Sequence, residues 1–222
     1  MNVLLAVKSC QRDLDHGCHD IIRSTWGKDV HEANLRFFVG ALQESEKISQ
    51  GDVFLNVPDD YDSLPFKTRE ILRWSLVHNY DYTFLCDTDT FIIPRLLMRC
   101  GFEKYDIAAR FGTIHPVGGP MFDYTDGRGY QGQVHPWPSG GLGYFVSKKA
   151  AEIIVAAEIK VWAEDMHVGQ VLGEHIRKGV ILALDIPDYE CNTSWHWPRR
   201  ATGKAYDHTS GWMERMQKEH GQ

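Results

Sequence analysis

The sequence predicts an α/β fold, on three observations. Short runs rich in β-branched and aromatic residues, such as Val3 to Val7, Leu35 to Gly40 and Tyr82 to Cys86, alternate with segments of helical period. At 222 residues, with 43% hydrophobic and 24% charged residues, the chain can bury a full core between layers. No internal repeat, low-complexity tract or Ser/Gly-rich linker divides it, so residues 1–222 read as a single catalytic domain.

The elements follow in order. Residues 2 to 7 form a buried strand, and Asp20 to Trp26 a short helix after a polar loop, the place where α/β folds bind ligands. Leu35 to Gly40 is the second strand. Leu42 to Ser49 reads as helix because Glu44 and Lys47 stand at helical spacing, and Asp52 to Val57 is a third strand. From Ser63 to Tyr80, the recurrence of Leu64, Thr68, Ile71, Leu72, Ser75 and His78 marks the first long amphipathic helix. It delivers the chain to the strand Tyr82 to Cys86. Pro94 opens a short helix to Cys100, and Ile107 to Arg110 is a strand. Residues 111 to 143 carry nine glycines and four prolines, which predicts a long, shaped loop acting as a lid or acceptor wall. Tyr144 to Ser147 is a strand whose last residue caps a helix over Lys148 to Ala157. A helix from the Glu164-Asp165 pair to Lys178, a strand over Val180 to Leu184 and a terminal helix from Trp212 complete the chain.

Charge and cysteines bound the function. A net charge of -6 argues against a broad grip on nucleic acid, with Arg199, Arg200 and Lys204 the one conspicuous basic group. Five cysteines, an odd and widely spaced set, favour a reducing compartment. The start lacks the features of a signal peptide, and no run of apolar residues reaches membrane-spanning length, so the expectation is a soluble, cytoplasmic protein of bacterial or viral type. His16, Cys18 and His19 lie close together, but no second ligand pair at zinc spacing accompanies them, and an ordinary loop is the simpler reading.

The stretch with most chemistry is Asp87-Thr88-Asp89, at the C-terminal edge of a strand where open α/β sheets bind ligands. On extended backbone, residues two apart face the same side, so both carboxylates can meet one hard cation; the alternative is a solvated turn.

Several separated stretches resemble the inverting β-1,3-glycosyltransferase superfamily, which includes the β-1,3-galactosyltransferases, the N-acetylglucosaminyltransferases and Fringe. They are Ile22-Arg23-Ser24-Thr25-Trp26, Phe38-Val39-Gly40, Asp60 to Thr68, Asp87-Thr88-Asp89-Thr90-Phe91, Pro136 to Ser147, and Glu164-Asp165-Met166-His167-Val168-Gly169. All six stand in the family's order over roughly residues 20 to 170. The chain departs from the pattern at Thr88, where the family has a third aspartate, and shows no clear counterpart of the family's luminal cysteines.

The resemblance implies a GT-A fold, a Rossmann-like α/β/α sandwich with a mostly parallel central sheet. It further implies a nucleotide-sugar donor, expected to be UDP-linked, held through Mn²⁺ or Mg²⁺, and a saccharide or other hydroxyl acceptor. Carried onto this sequence, Asp89 is the expected direct metal ligand, and Asp87 serves the ribose or a metal-bound water. Asp165 is the expected general base, and Glu164 orients a sugar hydroxyl or holds Asp165. A late histidine completes the metal set, with His208 preferred over His196. Arg23 and Lys67 are placed to meet the phosphates or to form internal ion pairs. Gly140, Gly141 and Gly143 allow backbone to approach the donor sugar, and Trp137 either stacks on an acceptor ring or packs internally. Three alternatives stand beside this reading: transfer to hydroxymethylated bases of viral DNA, a catalytically silent carbohydrate-binding relative, and a metal-dependent nucleotidyltransferase or phosphatase using Asp87 and Asp89.

Overall fold

The computed structural model describes residues 1–41, 47–49, 51–111, 135–186, 192–194 and 209–221. Its centre is strand β1 (Val3–Ser9), every residue of which is buried. The chain continues through α1 (Gln11–Asp15), α2 (Cys18–Ser24), a 3₁₀ turn (Trp26–Asp29), β2 (Asn34–Gly40), β3 (Lys47–Ser49) and β4 (Asp52–Leu55). A second 3₁₀ turn (Tyr61–Ser63) leads into α3 (Leu64–Val77) and then β5 (Tyr82–Asp87), β6 (Thr90–Ile92), α4 (Pro94–Leu97) and β7 (Ile107–Ala109). After the long loop come β8 (Tyr144–Ser147), α5 (Lys148–Ala156), α6 (Glu164–Arg177), β9 (Ala183–Asp185), β10 (Asn192–Ser194) and α7 (Thr209–His220).

Eight of these strands form one sheet in the order β3-β4-β2-β1-β5-β8-β7-β9. The ladders β4–β2, β2–β1, β1–β5 and β7–β9 are parallel; β8 runs antiparallel to both its neighbours, and β3 to β4. Alternate residues of each strand enter different cores, as the two-residue period of a strand requires. Leu4, Ala6, Leu85, Tyr144 and Val146 pack with Ile71, Leu72, Ile154 and Leu172 of α3, α5 and α6. Leu5, Val7, Phe84, Cys86 and Phe145 pack with Ile22, Trp26, Leu97 and Met213 on the opposite face. Helices on both faces of a mixed, largely parallel sheet make the α/β/α sandwich expected from the sequence. The cap expected at Ser147 is present, its hydroxyl accepting from the Ala150 amide at 3.2 Å.

Three expectations change. Residues 47–49 are strand, since antiparallel pairing with β4 overrides the local helical spacing; 42–46 lie outside the described residues. The late strand starts at Ala183, because the Val180 and Ile181 amides are spent on the His175 carbonyl, closing the end of α6 around Gly179 at φ +68°. Finally, Thr90–Ile92 leaves the main sheet as β6 and pairs antiparallel with β10, a long-range contact that no local pattern encodes.

Order reverses at β1, which is flanked by β2 on one side and β5 on the other. The C-terminal ends of β1 and β5 therefore open at the switch point where such sheets bind ligands. In register, Lys8 lies opposite Asp87.

Candidate active site

Asp87 ends β5, and Thr88 and Asp89 turn the chain into β6. The turn is braced from three sides. The Asp87 amide donates to Thr90 Oγ1 at 3.2 Å, and that hydroxyl donates to the Gly141 carbonyl at 2.9 Å. Trp26 Nε1, from the early Ile-Arg-Ser-Thr-Trp segment, donates to the Thr90 carbonyl at 3.1 Å. Thr88 Oγ1 donates to Asp13 Oδ2 at 2.7 Å, tying α1 to the turn. Asp89 is 3% exposed.

Lys8 joins this turn to the second acidic pair. Its ammonium, on a side chain 3% exposed, lies 3.2 Å from Asp87 Oδ1 and 2.9 Å from Glu164 Oε2. Burial opposes that charge, but Asp87 and Glu164 outweigh it and hold the lysine protonated, above its ordinary pKa. Glu164, at the start of α6, has its other oxygen occupied by the Tyr144 hydroxyl and by Thr68 Oγ1 at 3.2 Å. Burial, and then the charge of Glu164, push the Tyr144 hydroxyl well above its ordinary pKa, so it stays protonated and donates. Three donors thus hold the buried Glu164 carboxyl in place beside its neighbour in the chain.

That neighbour, Asp165, is left to titrate. Burial and then repulsion from Glu164 push its carboxyl up to about 6, opposed by hydrogen bonds from the Met166 and Gly140 amides and by the charge of Lys8. Gly140 packs against the pair so closely that a Cβ there would lie 3.1 Å from Glu164 Oε2, and Gly143 adopts φ +89° with its missing Cβ directed at the Phe84 ring. The 139–143 turn thus touches both halves of the site, Gly141 at Thr90 and Gly140 at Asp165.

The structure brings together Asp87, Asp89, Gly140, Gly141, Glu164 and Asp165. It places Arg23 and Lys67 in internal ion pairs, the second of the two roles their positions offered. Arg23 Nη2 binds Asp52 Oδ1 at 2.6 Å, and its guanidinium lies 4.7 Å from the Phe37 ring. Lys67 is buried, with Nζ 2.7 Å from Asp59 Oδ1 and donating to the Ser9 carbonyl at 2.6 Å, bracing the end of β1. Cys18 and His19 stand in α2 rather than in the loop expected for them, and the His19 ring lies between Ser9 Oγ (2.7 Å) and Asp52 Oδ1 (3.0 Å). Trp137 is 7% exposed and packs with Val161, Ala163 and Met166, so it is a core residue rather than a stacking surface. His196 and His208 lie outside the described residues, as does most of the 111–143 loop. No group of three His, Cys, Asp or Glu side chains able to hold a metal occurs among the described residues, and no described helix is long and apolar enough to cross a membrane.

Sequence reasoning passed over Lys8, Tyr144, Thr68 and Asp13. Lys8 did carry a signal: a lysine near the end of a continuous apolar strand must find carboxylates. The other three become visible only when distant elements meet.

No curated protein matches the chain. Its sequence does match the galactosyltransferase family over residues 19–177, a span that runs from α2 to the last residue of α6 and so contains the Asp87-Thr88-Asp89 turn and the Glu164-Asp165 pair. That match covers most of the chain and agrees with the sandwich described above: the protein belongs to the galactosyltransferase family, and is a glycosyltransferase of GT-A architecture.

Proposed function

We propose that this glycosyltransferase is metal-dependent and inverting, and moves a sugar from a UDP-linked donor to an acceptor hydroxyl, with residues 1–222 acting as one catalytic domain. The observation that carries the reading is the adjacent pair of Glu164, held by three donors, and Asp165, its carboxyl pushed up to about 6, joined through Lys8 to the Asp87-Thr88-Asp89 turn. A carboxyl raised by burial and a neighbouring charge is suited to acid–base chemistry.

Asp165 takes the proton of the acceptor hydroxyl as its oxygen attacks the anomeric carbon. The bond from that carbon to the diphosphate oxygen breaks, the electron pair leaves with the nucleotide, and the configuration inverts. Burial, and then repulsion from Glu164, raise the basicity of Asp165. Two carboxylates one residue apart are hard oxygen donors, which suits Mn²⁺ or Mg²⁺, ions that keep waters and substrate phosphates as their remaining ligands. Asp89 and Asp87 would hold the ion, with His208 a further ligand, and the ion would neutralise charge on the departing diphosphate. Because Lys8 already shares Asp87, we assign the direct contact to Asp89. Gly140 and Gly141 form the wall nearest the donor sugar, while Arg23 and Lys67 brace the loop behind the nucleotide.

The acidic balance, with Lys8, Arg23 and Lys67 each committed to carboxylates, lends no support to modified DNA bases as acceptors. Donor turnover tests the reading. Release of UDP from UDP-sugars should require Mn²⁺ or Mg²⁺ and vanish in Asp89→Ala. Asp165→Asn should bind UDP with Mn²⁺ as the parent does, yet fail to transfer. A nucleotidyltransferase or phosphatase would survive Asp165→Asn, and a silent relative would release no UDP at all.

A further inference from the structure

We propose that Asp13 is a positioning residue: it reaches from α1 to Thr88 and holds the Asp87-Thr88-Asp89 turn in the shape in which Asp89 serves the metal ion. This rests on the metal-dependent reading above and adds to it a residue that acts through another. The Thr88 hydroxyl donates to Asp13 Oδ2 at 2.7 Å, across 75 positions of sequence. Thr88 is 7% exposed and the Asp13 side chain 14%, so little water competes for the bond.

The hold on Asp13 comes from elsewhere in the fold. α1 is five residues long, too short to be stable by its own helical hydrogen bonds, and it has no buried residue. Polar anchors set its place over the sheet. The amide of Gln11, its first residue, donates to Asp59 Oδ2 at 2.6 Å. Asp59 is fixed in turn, since its Oδ1 accepts from the Gly40 amide at the end of β2, at 3.0 Å, and from buried Lys67 of α3, at 2.7 Å. α1 is thus strung between β2 and α3 on one side and the turn after β5 on the other, and Asp13 carries the fixed end to Thr88.

At the turn, this tether completes a pair. Thr88 and Thr90 flank Asp89, and the Thr90 hydroxyl donates to the Gly141 carbonyl at 2.9 Å. A residue has two soft backbone dihedrals, so holding both neighbours fixes the direction in which the Asp89 side chain leaves the backbone. Asp89 is buried, which leaves its side chain little room to correct that direction by changing rotamer. Asp13 is not a ligand in its own right: among the described residues no three His, Cys, Asp or Glu side chains could hold a metal, so Asp13, Asp87 and Asp89 do not converge on one ion. Its effect passes through the hydroxyl of Thr88.

The test is calorimetric titration of Mn²⁺ into the full chain with saturating UDP. Thr88→Val, which exchanges the hydroxyl for a methyl of similar size, and Asp13→Ala should each weaken Mn²⁺ binding about tenfold. The double variant should be no weaker than either alone, because both changes remove the same bond. Asp13→Asn keeps an oxygen that accepts from Thr88 and should bind within about threefold of the parent. A merely structural contact would shift the urea midpoint and leave these affinities alone. Near-UV circular dichroism on the same samples identifies the folded variants, and Thr88→Val decides the matter if Asp13→Ala is poorly recovered. Parent-like Mn²⁺ binding in Thr88→Val and Asp13→Ala, losses that add in the double variant, or Asp13→Asn as weak as Asp13→Ala would each overturn the proposal, the last by pointing to direct ligation. A parent chain that binds no Mn²⁺ with UDP would overturn the metal reading, and this assignment with it.

Discussion

Asp165→Asn should make the protein inactive and more stable at once. In the native chain the Asp165 carboxyl titrates near 6 against an ordinary 3.8. At 1.36 kcal/mol per unit of pKa, that difference amounts to about 3 kcal/mol of unfavourable free energy once the group is ionised in the folded state. The sign follows from proton binding. Between pH 3.8 and 6 the native state keeps a proton that the unfolded chain has lost, so stability falls as pH rises through this window. Asparagine cannot ionise, yet its side-chain oxygen can still accept from the Met166 and Gly140 amides. The variant should therefore gain up to about 3 kcal/mol at pH 8, and about half of that at pH 5. Partial solvent access screens the repulsion, which makes the larger figure a ceiling. For a chain of this size the gain corresponds to a Tm rise of roughly 6 to 12 °C at pH 8, readable by scanning calorimetry. Transfer should fall by about 10² to 10⁴, and in the parent enzyme its rate should climb about tenfold per pH unit below about 6 and level off above. A stability gain that is absent, or equal at pH 5 and pH 8, would refute the assignment of a destabilised carboxylate to Asp165.

Three further predictions concern the groups around it. Lys8→Met leaves Glu164 and Asp87 facing each other without their cation, so chemical denaturation should show a loss of about 3 to 5 kcal/mol, and the acid limb of the rate profile should move to higher pH. Tyr144→Phe deletes one donor to Glu164 Oε1 and should cost about 1 to 3 kcal/mol, measured from the urea midpoint, with UDP affinity unchanged. Gly143→Ala combines a left-handed backbone with a Cβ directed into the Phe84 ring. Little of it should be recovered in folded form, while Gly141→Ala, at an ordinary φ, should be obtained folded and show its loss in donor affinity.

Much of the architecture was legible because it is local. Short runs of apolar, β-branched and aromatic residues identified β1, β5 and β8, a 3.6-residue period identified α3, and Ser147 announced a helix start. The acidic pairs were legible for the same reason, as short motifs at element ends. The failures share a cause as well. Lys47–Ser49 and Thr90–Ile92 became strands through partners elsewhere in the chain, and Val180 and Ile181 were withdrawn from a strand by the closing of α6. Trp137 and Trp162 have the same apolar character in sequence, and only packing buries the first fully and the second in part.

The sequence by itself determined the fold class, the family and the two places where acidic chemistry gathers, since periodicity and short motifs are properties of neighbouring residues. Tertiary structure decided how those places work together. It set Lys8 between Asp87 and Glu164, and it paired Arg23 and Lys67 with Asp52 and Asp59 rather than leaving them in a solvent-facing basic patch. It set three donors on Glu164, and by burying Asp165 beside that carboxyl it raised the Asp165 pKa. Charges and hydrogen bonds act through space over a few ångströms, and residues 8, 68, 87, 144 and 164 come within that range only when the sheet assembles.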